Sequence, residues 1–179
     1  MNFSYIMIIN VVTDIEMDGP APGLYSIISA GFVALLPSRP NLYVELRPIS
    51  DQWQPEALAI SGFSREKTLS FPDAAEGIKR IAAWVDQIRV KNDVVKLWAD
   101  NPQFDGGALN WYFHKFLGYN PFGWSCGSIS CLYKGAESDM RAGIRKLRQT
   151  PHTHNALEDA LGNAEALEHI LRQIHTKKS

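Results

Sequence analysis

The sequence predicts an α/β domain in which a mixed sheet is flanked by helices. Three observations carry this expectation. Residues 5–14 are almost continuously apolar and rich in β-branched types, the composition of a strand buried on both faces. Two further strand-like runs follow at short intervals, which suggests an antiparallel meander. A helical pattern over residues 72–90 then leads into another short apolar run. A strand, helix, strand order of that length favours a right-handed crossover to a parallel neighbour.

Taken in order, the first strand ends near Asp14, and the cluster Gly19-Pro-Ala-Pro-Gly23 marks a turn. Residues 26–36 read as the second strand, and residues 41–47 as a shorter third one with alternation. Residues 50–70 read as irregular, with a bend at Ile60-Ser-Gly-Phe63. Ala74, Ile78, Ile81, Val85 and Ile88 recur at three- and four-residue spacing, the stripe of an amphipathic helix. Residues 94–98 form the fourth strand. Asn101-Pro102 has the chemistry of a helix start, Asn as cap and Pro at the first helical position, for a helix reaching about Leu117. Within residues 120–150 only a basic helical segment near 138–149 is legible. Leu157, Ala160, Leu161, Ala164, Leu167, Leu171 and Ile174 form one stripe of a final helix, with Asn155 and Glu158 resembling a capping box.

The chain has 179 residues, the size of one domain with a substantial core, and the reading is a single domain over 1–179. Its formal net charge is −1, which argues against broad neutralisation of duplex phosphates but not against an enzyme gripping one strand end. The opening apolar run is short, interrupted by Asn10 and not preceded by Lys or Arg. It resembles neither a membrane span nor a signal peptide, so a cytoplasmic location without membrane association is expected. Cys126 and Cys131 read as reduced, partly buried thiols, since no further ligands at zinc spacing lie nearby.

The chemistry concentrates in five polar residues. Asp14 and Glu16 lie two apart at the end of the most apolar strand, so alternation points both to one face. Two like charges beside a core are unfavourable unless a cation neutralises them, and a divalent metal does so economically. Asp105 falls early in the helix after Asn101-Pro102, followed by Gly106-Gly107, a pair that suggests close approach of a backbone or ligand. His154 and Asp159 flank the start of the last helix, with His152 as a competing histidine. Each has an ordinary explanation when taken singly: turn acids, acids placed against a helix dipole, a loop histidine.

Their joint order is more specific. Asp14-Ile-Glu16, Asn101-Pro-Gln-Phe-Asp105 and His154-Asn-Ala-Leu-Glu-Asp159 resemble, in order and spacing, the three motifs of the DEDDh (DnaQ-like) exonuclease family. The resemblance covers about residues 5–172. Residues 44–85 and Leu97-Trp98 also resemble the exoribonuclease branch typified by a mycobacterial protein and its phage relatives.

The resemblance implies a ribonuclease H-like fold with a five-stranded mixed sheet, and metal-dependent 3′→5′ hydrolysis of single-stranded nucleic acid to nucleoside 5′-monophosphates. Hard carboxylate ligands favour two Mg²⁺ or Mn²⁺ ions over zinc. In that scheme Asp14 bridges both ions, Glu16 and Asp159 hold the ion carrying the attacking water, and Asp105 serves the second. His154 is the general base, because imidazole titrates near neutral pH. Met17, with Asp18 beside it, and Ile60, Ser61 and Phe104 match positions that contact the terminal nucleotide; core packing is the ordinary alternative for Ile60 and Phe104. Many relatives carry Thr where Met17 stands. Arg141, Arg145, Lys146 and Arg148 suit phosphate tracking or a solvated helix face equally and are not assigned to the site. RNA is the favoured substrate on the branch resemblance, DNA the alternative; a non-cleaving nucleic-acid-binding module of the same fold is the competing class. A homodimer is compatible with the chain, but no feature of it encodes one.

Overall fold

The computed structural model describes residues 6–90 and 92–177. Its centre is a five-stranded sheet in the order β3-β2-β1-β4-β5. β1 (Ile8–Met17) pairs antiparallel with β2 (Ile27–Ala34), which pairs antiparallel with β3 (Asn41–Glu45). On its other side β1 runs parallel to β4 (Val94–Ala99), followed by the three-residue β5 (Cys126–Ser128). The meander and the parallel crossover expected from the sequence are both present. Tyr5, where the first strand was expected to begin, lies outside the described residues.

The sheet is covered on both faces. Ile9, Val11, Ile15, Phe32 and Leu97 pack on α3 (Ala74–Ile88) and α4 (Asp105–Leu117). Val12 and Val33 face the other way, against α5 (Ile129–Glu137) and the 21-residue α6 (Ala156–Thr176). No helix among the described residues is long and apolar enough to cross a membrane.

Several expectations need correction. Residues 50–70 are not irregular: α1 (Pro55–Ser61) and α2 (Arg65–Leu69) lie there, the first opening on Pro55 and ending at Gly62 in the left-handed region. Asn101 does not cap α4. Its carbonyl accepts from the backbone N–H of both Phe104 and Asp105, so residues 101–104 form a tight turn and the helix begins at Asp105. The basic segment 138–149 is not a helix beyond a 3₁₀ turn at Ile144–Leu147. The capping box is half made: the Asn155 side chain accepts from Leu157 and Glu158 N–H, but Glu158 turns to the Thr153 hydroxyl. Cys131 is exposed rather than partly buried.

The buried face of α6 is also built differently from the leucine stripe. Ala156, Ala160, Ala164 and Leu167 are buried, whereas Leu157, Leu161, Leu171 and Ile174 are its partly covered flanks. Small residues let the helix axis come close to the sheet. The approach is tight at Gly31 on β2, where a Cβ would lie 2.3 Å from the carbonyl oxygen of Ala156. Gly31 is also the cross-strand partner of Asp14. Gly31→Ala is therefore expected to push the first turn of α6 off the sheet, costing roughly 1–3 kcal/mol as an overpacked core site. Thermal melting checks this; an unchanged melting temperature would mean that α6 yields without strain.

Candidate active site

The sheet delivers two acids, and two helices deliver the others. Asp14 and Glu16 lie on β1, and both continue the side of the strand that Val12 presents to α6. The strand does not stop at Asp14: pairing with β2 carries it through Glu16 to a bulge before Met17. Asp159 sits in the first turn of α6, fully buried. Ligand oxygens of Asp14, Glu16 and Asp159 all lie within 4.8 Å of one another. Asp105 arrives from the opposite face at the N-terminus of α4, and its Oδ1 accepts the backbone N–H of Ile15 at 3.2 Å, between the two β1 acids. Gly106 makes this seat possible, since a Cβ there would lie 2.8 Å from the Cβ of Cys126. Gly107 has open space instead, so only half of the glycine pair reflects close approach.

The acids crowd one another electrostatically. Burial raises Glu16 to about 8, with the charges of Asp159 and Asp105 adding to it. Burial likewise raises Asp105 to about 7, opposed by the backbone N–H groups it accepts from. Asp14 is pushed well above the ordinary carboxylate range by burial and then by Asp105, Asp159 and Glu16, while Arg148 offsets part of this. Four hard oxygen donors in mutual repulsion fit a divalent cation, which relieves that repulsion.

A pH dependence follows. Between about pH 4, where these acids ionise in the unfolded chain, and about 8, the metal-free native state binds more protons than the unfolded state, so stability falls as pH rises. The metal-free melting temperature is expected to drop from pH 5.5 to pH 8, and saturating Mn²⁺ to raise it more at pH 8. A metal-free melting temperature that climbs over this interval would contradict the arrangement.

Asp159 is held by three hydrogen-bond donors, with the His152 ring close beside them. Its Oδ1 faces Arg148 Nη2 at 2.7 Å, His152 Nδ1 at 2.8 Å and the Thr153 N–H at 3.2 Å; its Oδ2 accepts the His154 N–H at 2.8 Å. His154 takes a left-handed backbone, φ 59°, in the loop before α6. Its imidazole and that of His152 are exposed, with ring centroids 4.3 Å apart. His152, His154 and Asp159 also bring three ligand atoms within 4.8 Å.

A cavity of about 390 Å³ opens beside the acids, lined by Asp14, Glu16, Met17, Gln54, Ile60, Asp100, Asn101, Phe104, Asp105, His152 and His154 among others. Ile60 is 56% exposed, so it is not a core residue. Met17 is buried, and Phe104 packs partly on the core while lining the cavity. Ser61 is not in the lining; its hydroxyl turns back to the Leu58 carbonyl at 2.9 Å. Asp18 is committed to structure, fully buried and paired with Arg65 at 2.8 Å.

Two residues escaped the sequence reading. Asn163 donates from Nδ2 to Asp14 Oδ1 at 3.4 Å. It lies one helical turn beyond Asp159, so a polar residue four positions on was a usable signal. Arg148 pairs with Asp159, a role that neither phosphate tracking nor a solvated helix face describes.

The chain is also similar to known proteins. Residues 54–171 match the 3′-5′ exoribonuclease Rv2179c-like domain. The 3′-5′ DNA exonuclease Cap18 of Escherichia coli is 33% identical over 180 residues, covering 94% of each chain. E. coli exonuclease I in complex with a dT13 oligonucleotide superposes with a TM-score of 0.73 at 16% identity, over 96% of this chain and 43% of that one. Cell-death related nuclease 4 gives 0.72 at 13% identity, over 96% of this chain and 66% of that one. The chain thus spans less than half of exonuclease I, and these two likenesses establish the ribonuclease H-like fold. On the family match, which takes in well over half of the residues, and the end-to-end relative, the chain belongs to the Rv2179c-like 3′-5′ exoribonuclease domain family, a family of 3′→5′ exonucleases.

Proposed function

We propose that this chain removes nucleotides from the 3′ ends of single-stranded nucleic acid, with two Mg²⁺ or Mn²⁺ ions, releasing nucleoside 5′-monophosphates. The observation that carries the proposal is the convergence of Asp14, Glu16 and Asp159 within 4.8 Å beside a nucleotide-sized cavity. Asp14, Glu16 and Asp159 would hold one ion, and Asp14 with Asp105 the other. When bound, such a pair activates water and stabilises charge on the phosphoryl and leaving oxygens.

The protein's own groups do the rest. His154 stands over the cavity to take the proton of the attacking water. Met17, Ile60 and Phe104 supply apolar surface against which a terminal sugar and base pack. Ser61 would support the terminal turn of α1 rather than touch substrate. The near-neutral charge suits this mode, since affinity comes from one strand end and the cations rather than from a broad basic face.

The sugar is the finer question. The end-to-end relative is a DNA exonuclease, which supports DNA. The family description names an exoribonuclease, which supports the second reading, RNA. We place DNA first because the DNA relative matches over nearly the whole chain. Digesting 5′-labelled single-stranded DNA and RNA of one sequence, with Mn²⁺ or Mg²⁺, tests both. The expected result is a ladder shortening from the 3′ end, faster on DNA. A faster ladder on RNA selects the second reading. Intact strands of both kinds, bound but uncut, would replace the enzyme with a binding module.

A further inference from the structure

The cations between 141 and 148 differ sharply in placement. Arg141 is 94% exposed, whereas the Arg148 side chain is 9% exposed and points into the acids. Its guanidinium donates through Nη2 to Asp159 Oδ1 at 2.7 Å and to the Pro151 carbonyl at 3.2 Å. Nη1 reaches Asn163 Oδ1 at 3.2 Å, and Nε the Thr150 carbonyl at 3.3 Å.

The seat is built for this group. A Cβ on Gly162, mid-helix in α6, would lie 2.3 Å from Nε and 2.7 Å from Cζ of Arg148. Glycine is a poor helix former, so its presence here answers to the guanidinium laid across it. The loop carrying the arginine is tied to the same helix: the Glu165 carboxylate accepts from Gln149 N at 2.6 Å, Thr150 N at 2.8 Å and the Thr150 hydroxyl at 2.8 Å. Asn163 then passes the contact on, accepting from Arg148 and donating to Asp14. One fixed cation thereby touches one carboxylate of the acid cluster directly and a second through a single amide.

We infer that Arg148 is a built-in counter-cation of the acid cluster, a positioning residue that holds Asp159 and Asn163 in place without metal and sets how tightly metal binds. The inference rests on the metal-site reading above. Oδ1 of Asp159 is occupied by Arg148, His152 and Thr153, which leaves the free side of Oδ2 to face an ion. Four carboxylates shared with a permanent positive charge attract a divalent ion less than four carboxylates alone. A guanidinium, unlike an ammonium, keeps its charge in such a site and fixes two acceptors at once.

The test uses metal-free full-length protein, with Mn²⁺ as the probe, read by calorimetry and by thermal melting. Arg148→Gln is expected to melt below wild type without metal, to gain more than wild type on saturating Mn²⁺, and to bind Mn²⁺ about tenfold more tightly. Gly162→Ala provides a second route, because the new Cβ evicts the guanidinium while the chain keeps its charge. It is expected to tighten Mn²⁺ binding in the same direction, and it decides the matter if Arg148→Gln fails to fold. Arg148→Lys, which restores charge without the fork, should fall between wild type and Arg148→Gln in affinity. Unchanged or weaker Mn²⁺ binding in folded Arg148→Gln or Gly162→Ala would reduce Arg148 to a loop anchor. Wild-type protein that binds no Mn²⁺ would instead overturn the reading of the site itself.

Discussion

Asp14→Asn is expected to lower the rate of strand-end hydrolysis by on the order of 10³-fold or more, since several kcal/mol of charge stabilisation are lost with the metals. In the proposed scheme Asp14 is the acid that would serve both ions. It neighbours Glu16 on the same strand face, is within 4.8 Å of Asp159 at the ligand atoms, and is pushed up by burial and by the charge on Asp105. The amide keeps the size of the carboxylate and can still accept the Asn163 N–H, so α6 has no reason to move. Removing one charge from a crowded set should therefore stabilise the metal-free protein at pH 8 while abolishing most of its gain in melting temperature on adding Mn²⁺. That opposite movement separates loss of a metal ligand from damage to the fold. Near-normal hydrolysis by the variant would remove Asp14 from the centre of the site.

What could be read before the structure depended on whether a residue's role is local. β1 was legible because a run of apolar, β-branched residues has few other solutions in a chain of this size. Its end was not: Asp14 and Glu16 have poor strand propensity, and only pairing with Gly31 and Ser29 on β2 keeps them extended. α1 and α2 were missed because each is short, seven and five residues, although Pro55 and Gly62 bracket the first. α5 hid behind the three-residue β5, with Ser128 closing the strand and capping the helix. The basic run suggested a helix because Arg and Lys favour one. Here the chain leaves helical geometry so that Arg148 can reach inward.

The four acids and His154 were legible only as an ordered set, since each side chain alone has an ordinary surface explanation. Asn163, Arg148 and the commitment of His152 to Asp159 are tertiary facts. No spacing rule announces that a glycine on α6 makes room for a guanidinium from the preceding loop, and a charge run weighed as a whole averages over the one member that turns inside. Ser61 shows the converse case. Adjacent to Ile60 in sequence, it points back along its own helix, because a serine near a helix end finds a carbonyl three residues earlier.

His154→Ala is expected to cost roughly 10²–10⁴ in turnover while leaving Mn²⁺ binding intact, the behaviour of a general base that is not a metal ligand. Both histidines line the cavity, so the choice rests on what each ring is already doing. The His152 ring already lies against Asp159, with Nδ1 2.8 Å from Oδ1. The His154 ring has no hydrogen-bond partner among the described residues, only the edge of His152 at a centroid distance of 4.3 Å. Its backbone is what is fixed: the N–H bonds Asp159 Oδ2, and φ is 59°, a region costly to most residues but tolerated by Asn. This separates two explanations of a lost rate. His154→Asn keeps the backbone comfortable and removes the base, so it should be as slow as His154→Ala. A His154→Asn enzyme much faster than His154→Ala would mean that the loop geometry, and not the imidazole, had been damaged. His152→Ala should lose less than about tenfold, because Arg148 and two backbone N–H groups still hold Asp159. If the two histidines exchange these effects, the proton is taken by His152, and the ring that lies against Asp159 is the one that works.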